Sequence, residues 1–241
     1  YVDENTVVIS TDFGNETMTT SGYPRQTKLW KRGTALKDAQ LINEIQPSDV
    51  GAFNGVFHDE NKSYVSINRV MTSFTSQKFI WIDNKIIALD LQDDCNISGI
   101  LKNQLIVQLK SDWKVATQNY KSGSVLSLNF TELLKGKKEI QLIIEPDQFS
   151  SISEIATTKN HLLINILSNV TSQLYIFSLN NGKWTNQKVE APDYGTISLN
   201  STNEFSDDYF FSFENFIIPS TLYSADANTN TFKISKSLPS Y

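Results

Sequence analysis

The chain repeats itself at intervals of about 48 residues, and that period restricts its fold more than any other feature. Leu126, Leu174 and Leu222 open three similar hairpin-like stretches. Leu174-Tyr175 leads through Asn180-Asn181-Gly182-Lys183-Trp184, and Leu222-Tyr223 leads through Asn228-Thr229-Asn230-Thr231-Phe232. In both, the leucine, tyrosine, asparagine and closing aromatic keep the same offsets. Looser copies begin at Leu29-Trp30 with a turn near Gly33, at Phe79 with Asp83-Asn84, and at Leu126 with Gly136. An apolar stretch bracketed by polar turn residues precedes each hairpin: Thr6-Val7-Val8-Ile9, Tyr64-Val65-Ser66-Ile67, Gln104-Leu105-Ile106-Val107, His161 through Ile166, and Tyr209-Phe210-Phe211-Ser212-Phe213. Each copy therefore reads as a four-stranded unit.

Periods of about 40 to 50 residues with four strands apiece mark β-propellers, which protect most sheet edges by radial repetition. The apolar runs are short, β-branched and aromatic, and Asn, Asp, Gly and Ser punctuate them, so strands are expected throughout. Phe130-Thr131-Glu132-Leu133-Leu134 is the one stretch that suits a helical turn. The expectation is an all-β chain, a β-propeller segment over 1–241 built of four-stranded antiparallel blades. About five are present, at roughly 4–46, 50–92, 97–146, 152–192 and 195–238.

Composition agrees. With 241 residues and 39% hydrophobic content the chain can bury a substantial core, and no linker or low-complexity tract divides it. Its apolar runs fall far below the roughly 20 residues of a membrane-spanning helix, so no membrane partner is expected. Tyr1-Val2-Asp3-Glu4 has neither a Met nor a secretory h-region, which reads as a removed leader or an excised piece. A net charge of -5 and a pI near 5.1 disfavour nucleic acid as a partner. The local cluster Arg25, Lys28, Lys31 and Arg32 alternates with Gln26, Leu29 and Trp30, as a solvated strand face would. Cys95 is the only cysteine, so no internal disulfide is possible; a reducing compartment fits, and the cytoplasm is the expected location. Six N-x-S/T sequons, at Asn15, Asn61, Asn96, Asn129, Asn169 and Asn200, are what chance supplies in so Asn/Ser/Thr-rich a chain.

Catalytic chemistry is hard to find. No glycine starts a G-x-S-x-G nucleophile elbow, and Gly123-Ser124 reads as hairpin punctuation. The two histidines, His58 and His161, read as turn residues that introduce strands. No Cys/His/carboxylate spacing suits zinc, Asp90 through Asp94 lacks the glycine and terminal glutamate of a calcium loop, and no glycine-rich phosphate loop occurs, so no cofactor or metal is expected. Asp12, Asp49, Asp59, Glu154 and Asp207 fall near strand ends and raise the possibility of a carboxylate site for glycoside hydrolysis. Aspartates serve turn geometry at such positions, and equivalent positions in successive repeats carry no matching ring of acids, so this reading ranks last.

Thr11-Asp12-Phe13-Gly14, Ser21-Gly22-Tyr23-Pro24-Arg25 and Lys28-Leu29-Trp30-Lys31-Arg32-Gly33-Thr34 closely resemble the propeller of bacterial prolyl oligopeptidases. Ala39 through Ser48-Asp49-Val50 and the closing Lys236-Ser237-Leu238-Pro239-Ser240-Tyr241 are similar to the same family, and the rest matches in blade spacing more than in letters. The resemblance implies a serine peptidase that cuts short peptides after proline, with a seven-bladed propeller and an α/β-hydrolase domain. This chain would hold five of the seven blades and none of the catalytic triad, which in that family lies in the hydrolase domain. Its partners would be that domain of the same polypeptide and short peptide substrates, and its role would be a steric lid. The rival reading is a freestanding propeller that binds a protein or glycan. The stretch between Val7-Val8-Ile9 and Thr27-Lys28-Leu29-Trp30 is longer than most connections, and loops of that length are often functional. It should emerge beside the Asp49-Val50 crossover, with Phe13, Tyr23 and Arg25 contacting the hydrolase domain or a neighbouring blade.

Overall fold

β-Branched and aromatic residues alternate with small polar ones along almost the whole chain, and strand follows strand accordingly. The computed structural model describes residues 1–239; Ser240 and Tyr241, from the closing stretch compared above, lie outside the described residues. The chain forms two compact units, one of Tyr1–Cys95 with Phe130–Glu139, the other of Asn96–Asn129 with the chain from Ile140 onward.

In the first unit, β1 (Thr6–Ile9), β2 (Gln26–Lys31) and β3 (Gln40–Glu44) form one antiparallel sheet in that order. β4 (Gly51–Asp59), β5 (Lys62–Val70), β6 (Ser76–Ile82) and β7 (Lys85–Ala88) form the next. Leu29 from β2 and Val65 and Ile67 from β5 are buried between them, with Val8, Ile42, Val56 and Phe79 packed around. A turn of helix, α1 (Phe130–Leu133), buries Phe130 edge-on against Tyr64 at 5.0 Å, as the apolar Phe130-x-x-Leu133 spacing suggests.

The second unit holds three four-stranded sheets. β8 (Asn96–Leu101) and β9 (Gln104–Gln108) begin the first, a two-stranded hairpin of β10 (Trp113–Val115) and β11 (Gln118–Tyr120) interrupts it, and β12 (Val125–Asn129) and β13 (Ile140–Ile144) complete the order β13-β12-β9-β8. β14 (Ser150–Thr157), β15 (His161–Ser168), β16 (Thr171–Asn180) and β17 (Lys183–Lys188) follow, then β18 (Thr196–Thr202), β19 (Asp208–Glu214), β20 (Thr221–Asp226) and β21 (Thr231–Ser237). β15 is buried over five consecutive residues, Leu162–Ile166, because other sheets cover both its faces. β19 instead alternates, burying Tyr209, Phe211 and Phe213 while Phe210 faces outward. β8, β14 and β18, the first strand of each sheet, all carry a bulge, at Ile97/Gly99, Ile152/Glu154 and Leu199/Ser201, whereas β4 pairs with β5 without a break. Such bulges sharpen local twist and bend the strand.

Two expectations need correction. Within the given sequence the first repeat shows three strands, β1, β2 and β3, where four were expected, and Val2 N donates to Thr6 O at 2.8 Å just ahead of β1. Neither histidine lies in a turn: His161 is the first residue of β15, and His58 lies within β4 near its end, where Nε2 is 3.1 Å from Tyr1 O and Nδ1 is 3.0 Å from Ser63 Oγ. The helical turn at Phe130 forms where the apolar spacing placed it.

Candidate functional site

The long connection between β1 and β2 is held by its own short polar side chains. Asp12 Oδ1 accepts from Gly14 N at 2.8 Å, and Phe13 N donates to Thr17 Oγ1 at 2.9 Å. Thr19 N donates to Tyr23 O at 2.8 Å and closes a tight turn. From there the loop reaches the crossover into β4: Thr19 Oγ1 donates to Val50 O at 2.9 Å and Thr20 N to Pro47 O at 2.9 Å. The loop therefore lies beside Asp49-Val50, where its length and position led us to expect it. Asp49, 5% exposed, accepts from both ends of the Arg69 guanidinium, at 2.8 Å and 3.2 Å, and from Gln46 N at 2.8 Å, which fixes that crossover.

Of the three residues singled out, Tyr23 alone is seen to reach a neighbouring sheet. Its ring meets Phe53 of β4 at 5.7 Å, and a methyl added to Gly51 would lie 2.7 Å from Tyr23 Cβ, so this close approach needs glycine at position 51. Arg25 binds its own surroundings: Nε donates to Ile45 O at 3.2 Å, one terminal nitrogen to Glu16 O at 2.5 Å, and the other pairs with Glu44 at 3.1 Å. Phe13 lies under the Lys28 ammonium, 4.0 Å from its ring centroid. Arg25 and Phe13 thus shape the loop, and Tyr23 couples it to the next sheet.

Four of the carboxylates that raised the question of glycoside hydrolysis, Asp12, Asp49, Glu154 and Asp207, are held by structural partners, and Asp59 is the last residue of β4. Glu154 Oε2 accepts from Asn165 Nδ2 at 2.8 Å and Leu199 N at 3.1 Å, linking the last two sheets of the second unit. Asp207, 8% exposed, accepts from Thr158 Oγ1 at 2.8 Å, Asn160 N at 2.8 Å and Asn160 Nδ2 at 2.6 Å, and so clasps the β14–β15 turn. Burial works to raise its pKa, but the hydrogen bonds from Asn160 and Thr158 outweigh burial and hold it below the ordinary carboxylate value. His161 extends the same clasp, with Nδ1 2.9 Å from Ser178 Oγ and Nε2 3.2 Å from Asn228 Oδ1. Cys95 is 3% exposed, and burial pushes its thiol pKa up against the opposing pull of Lys78, the reverse of an activated nucleophile.

Asp207→Ala is expected to cost about 2 kcal/mol at neutral pH, since it leaves buried donors without their charged acceptor. Because the folded-state pKa is depressed, this stabilisation is present above the unfolded value of about 3.9 and is lost as pH falls through the folded value. Urea unfolding across that range should show wild type and variant converging in acid; a constant gap would contradict the clasp.

Neither sequence patterns nor the resemblance points to Asp207, Glu154 or Asp49 as clasps, because Asn160, Leu199 and Arg69, which they hold, lie 20 or more residues away in sequence. The available signal is that Asp49 and Asp207 are acids beside a strand end; Glu154, expected there too, lies inside β14 at its bulge.

The succession of antiparallel, mostly four-stranded sheets defines a segment of β-propeller. More specifically, the chain belongs to the prolyl oligopeptidase N-terminal β-propeller domain family, which it matches over residues 3–237. It is 33% identical to "Uncharacterized peptidase y4nA" of Sinorhizobium fredii, over 99% of this chain and 34% of that protein. It is also 26% identical to "Uncharacterized peptidase RP174" of Rickettsia prowazekii, over 92% of this chain and 32% of that protein. Among solved structures, a post-proline cleaving enzyme from Rickettsia typhi superposes with a TM-score of 0.90 at 25% identity, over 100% of this chain and 36% of that one. Oligopeptidase B from Leishmania major, at 8% identity and a TM-score of 0.70, shares the fold, over 99% of this chain and 33% of that one. The chain thus spans about a third of the length of the relatives it matches.

Proposed function

We propose that this chain is the noncatalytic, substrate-gating propeller of a serine-type peptidase that hydrolyses short peptides after proline. The observation that carries the proposal is the likeness over the full chain to the Rickettsia typhi post-proline cleaving enzyme, at a TM-score of 0.90. Bond breaking would fall to an α/β-hydrolase domain of the same polypeptide. The propeller's contribution is steric: it covers the active site and admits peptides small or unfolded enough to pass. Clasps such as Asp207 on Asn160 suit this role, since sheets pinned to their neighbours resist separation and favour a rigid cap.

The test is a substrate series given to the full-length protein. Short peptides with proline before the cleaved bond are expected to give a kcat/KM at least about tenfold above alanine counterparts, with folded proteins of the same local sequence left intact. Equal cleavage after alanine, or ready cleavage of folded proteins, would overturn the proposal.

A further inference from the structure

The turn between β16 and β17, Asn181-Gly182, is one of the marks of the sequence repeat, and the proposed function leaves its chemistry unused. Asparagine followed by glycine is a reactive pair: the amide nitrogen of the second residue can reach the side-chain carbonyl carbon of the first, and glycine has no Cβ to stand in the way. The chain holds this pair twice, at Asn54-Gly55 and at Asn181-Gly182. The structure treats the two in opposite ways.

Asn54 lies inside β4 opposite Ile67, its Nδ2 donates to Ser10 Oγ at 2.6 Å, and Gly55 pairs with Ser66 in the same ladder. Asn181 and Gly182 are both exposed and form the whole loop between Asn180 and Lys183, which pair with each other. They sit at φ 50° and 75°, as a type I′ turn requires. In such a turn the hydrogen bond joins the flanking residues and leaves the central amides outside it, so the Gly182 N–H meets water. Among the described residues, no hydrogen bond holds the Asn181 side chain.

Other hairpin turns lack this combination. Asn84, at φ 58°, precedes Lys85, and Asn103, at φ 60°, precedes Gln104, so each has a Cβ beside the path of attack. Asn230, in the equivalent turn of the next repeat, precedes the β-branched Thr231, and its Nδ2 donates to Lys188 O at 2.9 Å.

We propose that Asn181 is a self-modification site, where the turn converts itself in water to aspartate and isoaspartate. A base in solution takes the proton from Gly182 N, which attacks Asn181 Cγ. The N–Cγ bond forms and the Cγ–Nδ2 bond breaks; the departing nitrogen takes a proton from water and leaves as ammonia, and a cyclic imide remains. Water then opens the imide at either carbonyl. Opening at Cγ restores the main chain with aspartate at 181, whereas opening at the former main-chain carbonyl routes the chain through Cγ and gives isoaspartate. The site stands apart from the functional reading above, since its chemistry needs only water and base.

The two products affect the fold differently. Aspartate accepts the left-handed conformation much as asparagine does, and adds a charge beside Lys183. Isoaspartate lengthens the main chain by a methylene inside a loop whose length sets the register of β16 against β17. That register aligns Leu179 with Trp184, whose Nε1 donates to Ser127 Oγ of β12 at 2.8 Å. Isoaspartate therefore loosens β17, the edge strand of its sheet.

The test ages the full-length protein at mildly alkaline pH, both folded and in urea, and maps its peptides by mass spectrometry with fragmentation that separates isoaspartate from aspartate. In the folded protein Asn181 is expected to convert at least about tenfold faster than Asn54, and in urea the two rates should agree within about threefold. Gly182→Ala, compared with wild type in urea so that its stability plays no part, should slow conversion at 181 at least about tenfold. Molecules carrying isoaspartate should exchange their β17 amides and the Trp184 indole hydrogen at least about tenfold faster than unaged protein. An Asn181 that stays intact in the folded protein, or converts no faster than Asn54, would overturn the site. Aspartate formed without isoaspartate would overturn the imide route, and unchanged exchange would overturn the loosening of β17.

Discussion

Phe211→Ala is expected to lower stability by about 4 kcal/mol. Phe211 is fully buried in β19, stacked on Tyr223 at 4.9 Å and 9° and on Tyr209 at 6.0 Å, with Phe232 edge-on at 5.4 Å. Truncation removes the ring's transfer energy and leaves a cavity between two sheets that backbone hydrogen bonds on both sides keep from closing. Three aromatic contacts go at once, each worth about 0.5–1.5 kcal/mol beyond area alone. Phe216→Ala, the same chemical change at a fully exposed position, should stay within about 0.5 kcal/mol. Urea unfolding of the two variants side by side checks this, and a loss below about 1 kcal/mol for Phe211→Ala would contradict the packing.

Gly195→Ala should cost about 3 kcal/mol although it adds one carbon. That methyl would lie 2.4 Å from Glu214 O and 2.4 Å from Phe213 Cζ. The carbonyl belongs to the end of β19, which pairs with β18 at Thr196↔Glu214, so it moves only if the strand moves. Phe213 is 1% exposed and has no space to rotate into. Gly55→Ala is the informative contrast, since its nearest neighbour, Ser66 Oγ at 3.2 Å, is a side chain that can turn away. Thermal unfolding should separate the two; equal midpoints would show that the approach at Gly195 relaxes freely.

Both predictions concern contacts made across sequence distance, which no local pattern of residues specifies. The runs Thr6-Val7-Val8-Ile9, Tyr64 through Ile67, Gln104 through Val107, His161 through Ile166 and Tyr209 through Phe213 each became the strand before a hairpin, because side-chain alternation and turn chemistry are local. Asp83-Asn84 and Asn181-Gly182 turn at positive φ, as those residue types allow. The β10–β11 hairpin was not anticipated, since Trp113–Tyr120 is short and weakly patterned and falls inside a repeat. The bulges in β8, β14 and β18 depend on pairing register, which no single strand specifies. In the long loop, length and position pointed to the crossover at Asp49, but the division of labour by which Tyr23 reaches β4 while Arg25 turns back to Glu16 and Glu44 follows from folded geometry.

The proposal that this propeller serves a catalytic domain on the same polypeptide is checked by sequencing the native gene beyond the codon for Tyr241. An open frame encoding G-x-S-x-G, followed by an aspartate and then a histidine, the chain order of an α/β-hydrolase triad, is expected. A stop codon within a few residues would contradict it and leave a freestanding propeller whose function lies in what it binds.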